Sequence, residues 1–150
     1  EDVDVAAATA RGIAVTNVVG TANRAVAELC LGLMFSVARG IAAQDRSVRS
    51  GAWEARPGIE LGGKVLGIVG LSAIATELIG MARALGMRVI SWSRNNDPAR
   101  AEAAGAIAVG LDELLARSDV ISLHPRLNAE TRPAPSSSIR RGAASSTKLQ

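Results

Sequence analysis

Aromatic residues and cysteine are scarce in this 150-residue chain, and each scarcity excludes a class of protein. The aromatic residues are two tryptophans and one phenylalanine. A basic surface interleaved with aromatics is typical of nucleic-acid-binding proteins, and its absence predicts no nucleic-acid partner. The one cysteine, Cys30, excludes a disulfide framework within the chain. Because Cys30 lies in an apolar helical pattern, we expect a small buried residue rather than a metal ligand, and we predict no metal site.

Long apolar runs are also absent. Glu28, Arg39, Lys64 and Glu77 interrupt the longest apolar stretches before they reach the roughly 20 residues that span a bilayer. This predicts no transmembrane helix and no membrane partner. The chain opens with Glu1 and shows no basic region followed by an apolar core, which is the pattern of a secretion signal. We therefore expect a cytoplasmic protein.

The net charge of +3 arises entirely at the end of the chain. All 14 acidic residues precede residue 133, whereas Arg140, Arg141 and Lys148 follow it. Residues 133–150 are also rich in serine and have only Ile139 and Leu149 as large apolar residues. Since so few apolar side chains cannot bury a face, we predict a disordered tail over residues 133–150.

The first third of the chain predicts one short strand and two helices. Residues 10–17 have the pattern of the strand. From Thr21 as the N-cap, apolar periodicity predicts a long, mostly buried helix that ends near Gly40, followed by a more polar helix that stops at Gly51. The residues expected on the buried face of the long helix are Val26, Leu29, Leu33 and Val37, with Cys30 and Met34 beside it.

From Lys64 onward, strands and helices alternate. Apolar runs predict strands at residues 64–70, 88–94, 107–110 and 119–124, and helical periodicity predicts helices at residues 72–87, 97–106 and 111–118. Four strands alternating with helices at this spacing predict an α/β fold with a Rossmann-like, doubly wound parallel sheet.

The first strand-to-helix junction carries an altered dinucleotide-binding motif. Such a turn uses three glycines: for a sharp bend, for close approach of the pyrophosphate, and for helix packing on the strand. Here the three places hold Gly70, Ser72 and Ala75. Alanine is allowed at the third place. A serine at the second occupies space that a diphosphate uses, but its hydroxyl can bond a phosphate oxygen, so we expect weakened rather than abolished binding.

The segments "AVAELCLGLM", "ELGGKVLGIVGLSAIA", "ALGMRVI" and "GLDELLARSDVISLH" together resemble the D-isomer-specific 2-hydroxyacid dehydrogenases, the family of phosphoglycerate and glyoxylate/hydroxypyruvate reductases. The resemblance covers residues 2–132. It implies a partial dinucleotide-binding domain at residues 21–132, truncated after the fourth strand, with residues 1–20 as the end of the crossover from a substrate domain. It also implies an oxidoreductase acting on the CH–OH group of a 2-hydroxy acid, and a homodimer formed through the helix at residues 21–40.

The cofactor implied by the resemblance is NAD or NADP. "LHPRLNAETR" resembles the family's cofactor loop after the fourth strand. NAD-preferring members end the second strand with an acid, whereas this chain has Ser93 and Arg94 there and no acid before Asp97, which favours NADP over NAD. A solvated loop arginine is the alternative. The predicted cofactor-binding residues are Gly70, Ser72, Ala73, Ile74, Ser93, Arg94, His124 and Pro125.

No catalytic residue is predicted. The family's catalytic arginine, glutamate and histidine lie in sequence contexts that do not occur in this chain, and His124, the only histidine, matches the cofactor loop instead. We therefore expect a cofactor-binding domain that is inactive by itself. Two alternatives remain open at this point: a non-catalytic dimerisation or interaction module, and an inert truncated remnant.

Overall fold

The computed structural model describes residues 3–18, 20–54 and 57–125. In these residues three helices come first, and four parallel strands then alternate with three more helices. Every strand and helix predicted between residues 64 and 124 is present within a few residues of its expected bounds. The predicted tail lies outside the described residues. The elements are α1 Val5–Ala10, α2 Asn23–Ala38, α3 Ile41–Arg49, β1 Val65–Val69, α4 Ala73–Ala84, β2 Arg88–Trp92, α5 Pro98–Ala104, β3 Ile107–Ala108, α6 Leu111–Arg117 and β4 Val120–Leu123.

The strands are ordered β3-β2-β1-β4, which is the order of a doubly wound sheet. After β1 the chain continues outward through β2 to β3, and it then returns to place β4 on the other side of β1. All pairs are parallel, and Val69 at the end of β1 is in register with both Trp92 and Leu123. Three strands therefore end level at one edge of the sheet.

Helices cover both faces of the sheet. On one face, α2, α4 and α5 pack in a core whose fully buried members include Ala27, Leu66 and Leu78. On the other face, α6 inserts Leu114 against Val65 and Ile90. Strand β1 is thus buried on both faces, which explains the continuous apolar run in the sequence.

Three expectations for the first part of the chain are wrong. Residues 11–18 form no strand, since no described segment pairs with them, and the preceding residues form α1 instead. Thr21 does not cap α2; the N-cap position is Ala22, which makes no side-chain hydrogen bond. The expected buried face of α2 is exposed: Leu29, Leu33 and Val37 are 62%, 57% and 82% exposed.

The face of α2 that packs on the core lies elsewhere on the helix. It consists of Ala27, with Cys30, Leu31, Met34, Phe35 and Ala38 partly buried around it. Apolar residues occupy two sides of α2, and periodicity could not tell which side the rest of the domain covers. The small side chain of Ala27 lets α2 approach the core closely there.

None of the described helices is by itself long and apolar enough to span a membrane. Helices α2 and α3, which are bent by 60° relative to each other, reach that length and composition only as a pair.

Gly67 in β1 provides a test of the packing between the sheet and α6. A Cβ atom at this position would overlap Ser118 Oγ and would lie 2.8 Å from Leu114 Cδ2. Gly67→Ala should therefore lower the free energy of unfolding by about 1–3 kcal/mol, the usual cost of overpacking a core. Gly80→Ala is the control, because nothing lies within 4 Å of its added Cβ and alanine favours the helix by about 1 kcal/mol. Urea unfolding measures both, and equal effects would contradict the packing.

Candidate functional site

A cavity of about 570 Å³ lies at the carboxyl ends of β1, β2 and β4, within the range of small-molecule sites. Its position is the crevice beside β1 where the strand order reverses, which is where doubly wound sheets bind ligands. The lining residues are Val69, Gly70, Leu71, Ser72, Ala73, Trp92, Ser93, Arg94, Arg100, His124 and Pro125.

Seven of the eight predicted cofactor-binding residues line this cavity. The exception is Ile74, the second residue of α4, whose partly buried side chain packs against the core. Four further lining residues are not among the predicted ones: Val69, Leu71, Trp92 and Arg100. The first three belong to or flank predicted strand ends and could have been included on that ground. Arg100 lies inside α5, and nothing in its local sequence indicates that its side chain reaches the cavity.

Gly70 makes the sharp bend after β1. Its φ of +92° is in the region that favours glycine, and its N–H donates to Trp92 O at 2.8 Å. A Cβ at this position would lie 2.8 Å from the carbonyl carbon and oxygen of His124 and from the nitrogen of Pro125. Glycine is therefore needed at position 70 for two reasons. It adopts the positive φ of the bend, and it lets the segment after β4 pack against the backbone of the turn.

Ser72 is the N-cap of α4. Its backbone is extended, and its Oγ accepts a hydrogen bond from Ala75 N at 3.2 Å. The hydroxyl therefore folds back onto the helix while keeping its own proton to donate. Within the described part of the chain, no protein group accepts from the N–H groups of Ala73 and Ile74. The beginning of a helix with such donors is suited to an anion such as a phosphate.

Ala75 stands at the third place of the turn motif. It is fully buried in the core between α4 and the sheet. One methyl group therefore fits where the helix packs against the strand. The departure from glycine at this place leaves the packing of α4 intact.

The β4 side of the cavity is formed by His124. Its N–H donates to Val69 O at 2.7 Å, and its Nε2 lies 2.8 Å from Ser122 Oγ. Burial of the imidazole lowers the pKa of His124 from its usual value of 6.5. The ring is therefore neutral at neutral pH, and the positive charge of the lining comes from Arg94 and Arg100.

The β2 side of the cavity has basic but no acidic lining residues. Asp97, the first acid after β2, is the N-cap of α5, and its Oδ1 accepts from Ala99 N at 3.0 Å and from Arg100 N at 3.3 Å. This carboxylate is therefore directed to the helix backbone. Helix donors on one side and guanidinium groups on the other fit a ligand that carries several phosphates.

Comparison with known proteins identifies the kind of site. The family described as "D-isomer specific 2-hydroxyacid dehydrogenase, NAD binding domain" matches residues 31–137. The chain belongs to this family. A nicotinamide dinucleotide is the cofactor class of this domain, and the donors and cations of the cavity fit such a molecule.

Several relatives of this dehydrogenase domain are closely similar. The chain is 41% identical to a glyoxylate reductase of Thermococcus litoralis, covering 87% of this chain and 42% of that protein. It is also 41% identical to a D-3-phosphoglycerate dehydrogenase of Archaeoglobus fulgidus, covering 87% and 25%. The crystal structure of a glyoxylate reductase from Paecilomyes thermophila superposes with a TM-score of 0.74 at 41% identity, covering 87% and 40%. The chain thus spans less than half the length of these relatives.

The close approach at Gly70 can be tested against a glycine that has the same backbone conformation and no neighbours. Gly70→Ala should lower the free energy of unfolding by about 3 kcal/mol, because a strained φ and a clash with the His124–Pro125 backbone add together. Gly63→Ala carries the strain alone, since its φ is +75° and nothing lies within 4 Å, and it should cost about 1 kcal/mol. Chemical denaturation compares them. A loss for Gly70→Ala no larger than that for Gly63→Ala would refute the approach.

Proposed function

We propose that this chain is the cofactor-binding part of an oxidoreductase that acts on the CH–OH group of a 2-hydroxy acid, and that it binds NADP in preference to NAD. The observation that carries the preference is the β2 side of the cavity. Ser93 and Arg94 stand where an acid would bind the ribose 2′-hydroxyl of NAD, and Asp97 is committed to capping α5. A guanidinium group suits a 2′-phosphate.

The two ends of the site have separate roles in this proposal. The donors of Ser72, Ala73 and Ile74 at the start of α4 hold the pyrophosphate. Ser93 and Arg94 hold the phosphorylated ribose. When bound, the cofactor supplies the hydride acceptor or donor for the reaction. Residues 21–132 are the domain that binds it, and residues 1–20 are the end of a crossover from a substrate domain.

By itself the chain does not complete the reaction. Hydride transfer at a 2-hydroxy acid needs a base for the hydroxyl proton and a cation for the carboxylate. Among the residues that line the cavity, the only imidazole is His124, whose Nε2 is engaged with Ser122 Oγ. Both arginines lie on the β2 side, at the adenosine end.

The cofactor preference is tested by titration calorimetry of the 150-residue chain with NADPH and NADH. NADPH should bind about tenfold more tightly, and Arg94→Gln should remove that advantage while changing NADH affinity less than about twofold, because a charge-assisted contact to one phosphate is lost. Arg88→Gln, at the opposite end of β2, is the control for the loss of a positive charge.

The proposed inactivity of the isolated chain is tested separately. NADPH mixed with the chain and with glyoxylate or hydroxypyruvate should not be oxidised. Tighter binding of NADH than of NADPH would refute the preference, and turnover would refute the inactivity.

A second role, as a dimerisation module, is favoured by the exposed side of α2. Val26, Leu29, Leu33 and Val37 form an apolar stripe there, while the opposite side of the helix packs on the core. Exposed stripes of this kind mark interaction surfaces. A second copy of the chain is the partner we propose, because two such stripes bury each other about a twofold axis.

Dimerisation is tested by analytical ultracentrifugation. The wild-type chain should sediment as a dimer. The double substitution Leu29→Glu with Leu33→Glu should give a monomer, because charges in an apolar interface weaken association by roughly 3 kcal/mol or more. Leu115→Glu is the control, since Leu115 is 52% exposed on α6 and outside the stripe. A wild-type monomer at its highest soluble concentration would exclude the proposed interface.

A further inference from the structure

Arg100 joins two parts of the cavity that are far apart in sequence. It is the third residue of α5, and its side chain crosses to the turn after β1, where Nη2 donates to Leu71 O at 2.8 Å. Leu71 is itself buried, with 7% of its surface exposed. The contact therefore ties α5 to the turn that carries Ser72.

The same contact holds the guanidinium group at the cavity. A guanidinium has five N–H donors in a fixed planar fork, and within the described residues the structure shows one side-chain bond for Arg100, to Leu71 O. No acidic residue lines the cavity. Asp97 accepts from the backbone N–H of Arg100, so this nearby carboxylate is directed to the backbone of α5. Arg100 thus places a positive charge and further donors at the cavity in a partly fixed geometry, which lowers the entropic cost of binding an anion.

We infer that Arg100 is a specificity-determining residue, which together with Arg94 binds the 2′-phosphate of an adenosine cofactor. The location of Arg100 favours the 2′-phosphate over the pyrophosphate as its ligand. Its backbone belongs to the helix that follows β2, beside the place where the adenosine ribose binds in such sheets. Its guanidinium is anchored at Leu71 O, before the start of α4 that faces the pyrophosphate. The inference rests on the proposed NADP preference and adds to it a residue outside the strand-end motif.

Three small ligands distinguish two roles for Arg100. It either binds the 2′-phosphate itself or only holds the turn after β1 in place through Leu71 O. AMP is the common part, ADP adds a second phosphate at the 5′ position, and 2′,5′-ADP adds one at the 2′ position. Calorimetry on the 150-residue chain should show that Arg100→Met weakens 2′,5′-ADP about tenfold, while AMP and ADP change less than about twofold. Arg100→Lys keeps the charge but loses the fork, and should weaken 2′,5′-ADP about threefold. Arg88→Met is the control and should change none of the three.

The outcomes separate this inference from the proposal on which it rests. Equal weakening of all three ligands by Arg100→Met would show that Arg100 only positions the turn, and a selective loss of ADP would assign it to the pyrophosphate. Either result overturns the inference while the wild-type preference for 2′,5′-ADP over AMP stands. A wild-type chain without that preference overturns the NADP proposal itself. Circular dichroism melts verify folding, and Arg100→Lys decides the question if Arg100→Met does not fold.

Discussion

The backbone of Gly70 packs directly against the backbone of His124 and Pro125, and the position of the cavity depends on this approach. The contact brings the turn after β1 to the loop after β4, across the point where the strand order reverses. The strands end level because their register is fixed by parallel pairing on both sides of β1. Only a residue without a Cβ permits both the bend and the contact. The helix donors, the imidazole and the arginines converge as a consequence.

This arrangement explains what the substitution of glycine by Ser72 does in the turn after β1. Ser72 replaces the glycine that would leave the most room for a diphosphate, but its hydroxyl folds back to cap α4. The helix start keeps the N–H groups of Ala73 and Ile74 for an anion, and it gives up that of Ala75. The positive side chains, Arg94 and Arg100, belong to the segment that follows β2, and the guanidinium of Arg100 reaches across to Leu71 O. Backbone donors at the start of α4 and guanidinium groups from the β2 side therefore provide separate contacts for the phosphates of a cofactor.

Much of this fold was predictable because its signals are local. A strand buried on two faces, such as β1, has a continuous apolar sequence. The start of α5 is indicated by an N-cap residue, Asp97, followed by Pro98. The predictions that were wrong depend on contacts between segments far apart in the sequence. Residues 10–17 have the pattern of a strand, but no described segment pairs with them. Helix α2 has two apolar sides, and the core covers only one of them. Arg100 was missed for the same reason, since its partner Leu71 lies 29 residues away.

We propose that a nicotinamide dinucleotide binds where the turn after β1 meets the ends of β2 and β4. The most direct measurement is a titration of the ¹⁵N-labelled chain with NADPH, followed by amide chemical shifts in NMR spectra. Saturable shifts are expected at the amides of five lining residues, while the amides of α6 stay unchanged. The five residues are Gly70, Ser72, Ala73, Ser93 and His124. Shifts confined to the exposed side of α2, or no saturable shift at these amides, would contradict it.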